Sequence, residues 1–116
     1  MATFTKTLLS GSTNGKSIDV TGTDTSGAVT VHTAVSGTSD LDEIFLYCSN
    51  IGAADAKLTI EYGETDEDGH IEITIPGESG LVQVLPGLLL QNSLVVKAFG
   101  SVANVLMLHG FVNRIS

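Results

Sequence analysis

Residues 41–49 read Leu41-Asp42-Glu43-Ile44-Phe45-Leu46-Tyr47-Cys48-Ser49, and the period of two in this stretch decides the fold class. In an extended chain successive side chains point to opposite faces, so Ile44, Leu46 and Cys48 share one face. The same alternation returns in Leu58, Ile60 and Tyr62, and again in Ile71, Ile73 and Ile75. These nine residues are the predicted core. Runs of this kind recur at about ten-residue spacing with turn signals between them, the pattern of sandwiches and barrels. The spacing predicts strands over 28–34, 41–49, 56–62, 70–75, 81–85, 93–99 and 102–114. The fold class is therefore all-β: an antiparallel β-sandwich, jelly-roll or Ig-like in topology.

A chain of 116 residues fits one domain, because two independent cores would each be near the lower size limit for a stable fold. Thirteen Thr, thirteen Gly and eleven Ser favour strands and tight turns over helices. Within the single domain 1–116, residues 1–27 read as an arm or edge hairpin and 28–116 as the core. Residues 2–27 hold seven Thr, four Ser and four Gly. Asn14-Gly15 suits a type I′ hairpin turn, since both residues tolerate positive φ. Such a polar, β-prone segment reads as a simple N-terminal edge strand or, within an assembly, as an arm that reaches a neighbouring subunit and completes a strand edge there.

Five basic against thirteen acidic residues give a formal charge of −8. The basic residues stand singly along the chain, which argues against nucleic acid as a partner, because phosphate binding needs clustered Lys or Arg. The start of the chain, Met1-Ala2-Thr3-Phe4-Thr5-Lys6, lacks the pattern of a secretion signal. The longest apolar stretch, 102–112, falls short of the roughly 20 residues of a membrane-spanning helix, so no membrane segment is expected. Cys48 is the one cysteine, which rules out an internal disulfide and reads as a small core hydrophobe.

Pro76-Gly77 and Pro86-Gly87 are expected to stop the strands before them. Residues 63–69, Gly63-Glu64-Thr65-Asp66-Glu67-Asp68-Gly69, form a loop too acidic to be buried, hence an exposed tip. The last third of the chain behaves differently. On the predicted strand 102–114 one face carries Val102, Leu106, Leu108 and Val112, and the other carries Ala103, Val105, Met107 and Phe111. The region 81–99 is equally apolar. A sandwich of this size cannot cover both faces of such strands, so an oligomer or partner interface is expected there, with Leu89, Val95, Val105, Met107 and Phe111 as its residues.

Little in the chain suggests catalysis. Glu64-x-Asp66-x-Asp68-Gly69 overlaps the opening of a calcium loop, yet the twelfth position is Ile75 instead of a bidentate glutamate. His32, His70 and His109 lie on separate predicted strands without metal-ligand spacing. Asp40, Asp42 and Glu43 read as solvent contacts, since neighbours on a strand point to opposite faces. Gly77-Glu78-Ser79-Gly80 matches only part of a nucleophile elbow. The expectation is no enzyme, no cofactor, no metal and no catalytic residue.

The runs His32-Thr33-Ala34-Val35-Ser36-Gly37-Thr38, Asp42-Glu43-Ile44-Phe45-Leu46-Tyr47 and Lys57-Leu58-Thr59-Ile60-Glu61-Tyr62-Gly63 resemble small virion-associated proteins of tailed bacteriophages. Asn50, the segments Leu81 to Leu90 and Val95-Val96-Lys97-Ala98-Phe99, and the closing His109-Gly110-Phe111-Val112-Asn113-Arg114 extend the likeness over about residues 28–115. The resemblance implies a structural β-sandwich: a capsid decoration or cement protein, commonly a trimer, that clamps the major capsid protein on the virion surface after synthesis in the host cytoplasm. It leaves room for a tail or fibre module that binds a host surface. A free-standing sugar- or calcium-binding module, with Glu64, Asp66 and Asp68 as ligands, is the reading from a different class.

Overall fold

The computed structural model describes residues 2–116. Its strands are β1 (Phe4–Leu8), β2 (Ile18–Asp19), β3 (Val29–Thr33), β4 (Leu41–Asn50), β5 (Ala56–Tyr62), β6 (His70–Ile75), β7 (Val82–Leu90), β8 (Val95–Gly100) and β9 (Leu106–Ile115). They form two antiparallel sheets packed face to face. Sheet A has the order β1-β9-β4-β7, with β2 also pairing β9, and sheet B has the order β3-β8-β5-β6. Pairing is nested: β1 and β2 meet β9, β3 meets β8, β4 meets β7 and β5 meets β6. This is one long hairpin rolled into two layers, the jelly-roll alternative among sandwich topologies. The acidic loop, joining β5 to β6, is the tip of that hairpin, and Glu64 to Asp68 are all exposed.

The core lies where the alternation predicted it. Ile44, Leu46 and Cys48 from sheet A face Leu58, Ile60 and Ile75 from sheet B, all fully buried. Tyr62, Ile71 and Ile73 pack against this cluster with part of their surface open.

Several strand limits differ from expectation, each for a local reason. β7 does not stop at Pro86-Gly87 but runs through it to Leu90. It is an edge strand of sheet A, where a proline without an N–H costs no ladder bond, and its register against β4 slips at Val84 and Gly87. Gly87 has φ +101°, and a Cβ there would sit 3.0 Å from the Phe45 ring, so glycine is what lets the bulge pass over that ring. The last strand opens at Leu106 and not at residue 102, because Asn104, at φ 64°, turns the chain. Val102 and Ala103 thus belong to a turn.

The first segment also differs. Asn14 and Gly15 have φ 56° and 85°, and Lys16 N–H donates to Thr13 O at 3.0 Å, as a type I′ turn requires. Yet β1 and β2 do not pair with each other; both add to β9. Between them Leu9 plugs the core, and Gly11 N–H donates to Val31 O at 2.9 Å. In the single chain the segment is an edge strand of its own sandwich, the simpler of the two readings. Its chain length matches the exposed side of β9, and Thr3 and Ser116 exchange backbone bonds at the end of the pair.

Asp42 is buried, not a solvent contact as the sequence suggested. It shares the inward face of β4 with Ile44, and its carboxylate is compensated from three sides. Arg114 on β9 donates through Nε to Oδ1 at 2.7 Å and through a terminal nitrogen to Oδ2 at 2.9 Å. Val35 N–H donates to Oδ2 at 3.0 Å. His32 on β3 lies with Nε2 at 2.8 Å from Oδ2, while its Nδ1 accepts from Ser10 N–H at 3.0 Å. An accepting Nδ1 leaves the ring proton on Nε2, which therefore donates to Asp42. One carboxylate ties β4 and β9 of sheet A to β3 of sheet B and, through His32, to the first segment.

Burial pushes the Asp42 carboxyl up, but the Arg114 and His32 hydrogen bonds, the Arg114 charge and the Val35 N–H outweigh it, so its pKa lies below the ordinary 3.8. A carboxyl lowered in the folded state adds stability above its unfolded pKa and loses it as pH falls through the folded value. Asp42→Asn is expected to cost about 1.5–3 kcal/mol at neutral pH, by loss of charged hydrogen bonds at a buried group. Thermal unfolding followed by circular dichroism from about pH 2 to pH 7 checks the sign: the wild type should lose its advantage over Asp42→Asn below about pH 4. An advantage independent of pH would contradict it.

Burial also pushes the Cys48 thiol up to about 12. Ellman's reagent should label it only as fast as the domain unfolds, since a thiol that is both protonated and enclosed cannot attack. Rapid labelling of the native protein would show this part of the core to be open.

Candidate assembly face

Alternation on β4 sends Phe45 and Tyr47 away from the core, and the register carries that outward face across the sheet. Phe45 is opposite Phe111, Tyr47 opposite His109 and Ser49 opposite Met107 on β9. On the far side of β9, Phe4, Lys6 and Leu8 of β1 are opposite Ile115, Asn113 and Phe111. On β7, Gln83, Pro86 and Leu89 are opposite Tyr47, Phe45 and Glu43. The result is an apolar and aromatic strip across sheet A, with Leu8 53 % exposed at one side and Leu89 51 % exposed at the other.

The centre of the strip is ordered by its own contacts. Phe45 and Phe111 stack with ring centroids 4.7 Å apart and planes inclined by 16°. Lys6 Nζ stands 4.9 Å over the Phe111 ring. Gly110 makes the approach of β9 to β4 possible, because a Cβ there would strike the Phe45 carbonyl oxygen. Polar groups sit toward the margins: Asn113 Nδ2 donates to Glu43 Oε1 at 3.4 Å, and Gln83 Nε2 reaches Tyr47 OH at 3.5 Å. An apolar centre with a polar rim is the anatomy of a protein–protein contact.

Of the residues expected at an interface, Leu89, Met107 and Phe111 come together on this face. Val95 opens β8 in the other sheet, and Val105 precedes β9, half-buried against the core beside Gly52. Sequence reasoning passed over Phe45, Tyr47, Phe4 and Leu8. The first two were legible, since they are the residues left over when Ile44, Leu46 and Cys48 take the inward face. Phe4 and Leu8 were not, because nothing local places β1 beside β9.

The outer face of sheet B is covered differently. Thr59 and Glu61 point outward from β5 yet are buried, Thr59 between Phe99 and Glu72 in the register and Glu61 beneath the short 3-10 turn Thr25–Gly27. Thr25 Oγ1 donates to Glu61 Oε2 at 3.0 Å, and His70 Nε2 lies 3.3 Å from the same oxygen. Glu61 Oε1 and Tyr62 OH are buried without a partner among the described residues, and burial pushes the Tyr62 phenol up to about 12. A hollow of about 270 Å³ lies beside Glu61, between Lys97, Leu94 and the loop, but Oε1 itself is closed off from it. Glu64, Asp66 and Asp68 do not converge: among the described residues no three His, Cys, Asp or Glu side chains are placed to share a metal ion. His109 lies on the outer face of sheet A, opposite Tyr47.

No protein-family model, no curated protein and no solved structure matches this chain.

Proposed function

We propose that this chain is a structural virion subunit, a capsid decoration or cement protein of a tailed bacteriophage, that binds other protein surfaces through the outer face of sheet A. The observation that carries the reading is the apolar strip from Leu8 through Phe111 and Phe45 to Leu89, whose two ends are exposed and whose stacked centre is half-buried. Contiguous apolar surface of this kind is rare on solitary domains and marks a contact.

Three further features support it. The likeness to small phage virion proteins extends over about residues 28–115. The jelly-roll is used in viral capsid and lectin domains, although a fold by itself selects no function. The exposed acidic tip between β5 and β6 gives the molecule a charged end that resists nonspecific adhesion to nucleic acid and to other acidic particles. In this reading the major capsid protein and further copies of the chain, grouped as a trimer, are the partners.

Leu8→Ser combined with Leu89→Glu tests the face with little risk to the fold, because both side chains are more than half exposed. Binding to assembled shells is expected to weaken by at least about tenfold, as removal of contact-centre residues typically does, with the melting temperature nearly unchanged. Undiminished binding would rule out this face. An electron-microscopy map of the particle separates the head position from a tail or fibre position.

A further inference from the structure

A sandwich of two sheets has four outer strand edges, and three of them are blocked. The β3 edge is bulged and bonded by the first segment, through Gly11 N–H to Val31 O and Thr33 N–H to Ser10 Oγ. The β7 edge carries Pro86 and two register shifts. The edge beside β9 is broken into β1 and the two-residue β2, with Lys6 on β1. Proline, lysine, bulges and interruptions are the devices by which proteins prevent edges from pairing.

The β6 edge has none of them. Its register with β5 is unbroken from His70 to Ile75, and among the described residues no backbone group of Ile71 to Thr74 bonds to anything beyond β5. Ile71 and Ile73 point inward yet stay only half-buried, while Ile75 is enclosed. The sheet thus ends on unfinished core.

We propose that two copies of this chain pair β6 to β6 in antiparallel fashion about a twofold axis at Ile73, joining the two B sheets edge to edge. The strand is self-complementary in that register. Ile71-Glu72-Ile73-Thr74-Ile75 sets Ile73 against its own copy, Ile71 against the partner's Ile75 and Glu72 against the partner's Thr74. Isoleucines then extend one continuous inward face, and within the strand pair no like charges oppose each other. A one-residue slip would turn the inward isoleucines of one copy to the other's outward face, so the register is defined. The antiparallel arrangement also puts each acidic loop beside the other copy's Gly77–Gly80 turn, where Glu78 is the one charged residue. At 3.4 Å per residue, the two loops stand roughly 25 Å apart, several times the Debye length in physiological salt. This contact is separate from the outer face of sheet A and does not depend on what that face binds.

Thr74 is exposed, so charged substitutions there leave the fold intact, with Thr74→Glu gaining and Thr74→Lys mildly opposing the Lys57 charge across the strand pair. Thr74→Glu places a carboxylate opposite the partner's Glu72 twice per dimer, and Thr74→Lys places an ammonium there. Sedimentation equilibrium of the full chain is expected to show dimers about tenfold weaker for Thr74→Glu and tighter for Thr74→Lys, relative to wild type. Glu72→Cys with Thr74→Cys should oxidise to a covalent dimer, whereas the two cysteines of one chain, two residues apart on a strand, are too far apart to close on each other. Absence of dimers at any concentration, equal association in all three proteins, or no cross-link would overturn the proposal. Loss of the dimer in Leu89→Glu but not in Thr74→Glu would overturn it too, by placing the twofold contact on sheet A and not on β6.

Discussion

The carboxylate of Asp42 is where the two sheets, the first segment and the last strand meet. A buried carboxylate without partners would cost several kcal/mol, so its position is tolerable only while Arg114, His32 and the Val35 N–H surround it. Those partners come from β9, β3 and the chain between β3 and β4. The site is therefore satisfied in the rolled-up topology and left charged and unpaired in alternatives that separate these elements. His32 extends the constraint by accepting from Ser10, which holds the crossing of the first segment from sheet A to sheet B.

Once the roll is fixed, the fate of each face follows from layer counting. Sheet B covers the inner face of sheet A, and on its own outer face the Thr25 turn bonds to the buried Glu61. Among the described residues no comparable loop crosses the outer face of sheet A. Its aromatic centre is organised by a stack and a cation over a ring, both formed within one molecule, so the surface is ordered before any partner arrives. Pre-ordering of this kind lowers the entropy cost of association.

The core was readable from period-two patterning, because inward positions on a half-buried strand must be apolar and few other positions are. Strand ends were less readable where edge position overrode local chemistry: Pro86-Gly87 looks like a stop in sequence but is tolerated on an unpaired edge. Asp42 was misjudged for a related reason. Its inward direction follows from the parity of Ile44, but the compensation comes from Arg114, 72 residues away, and long-range pairing has no local signal. Of the apolar residues singled out in the last third, Leu89, Met107 and Phe111 share the outer face of sheet A, whereas Val95 and Val105 lie away from it, and Phe45 and Tyr47, not singled out, lie on it.

The central claim is that the outer face of sheet A is the surface through which this chain is held in an assembly. Hydroxyl-radical footprinting of the protein, free and in the assembled particle, tests it most directly. Phe45, Met107 and Phe111 should become protected on assembly while the acidic tip stays reactive. Protection of the tip with those three side chains still reactive would contradict the account.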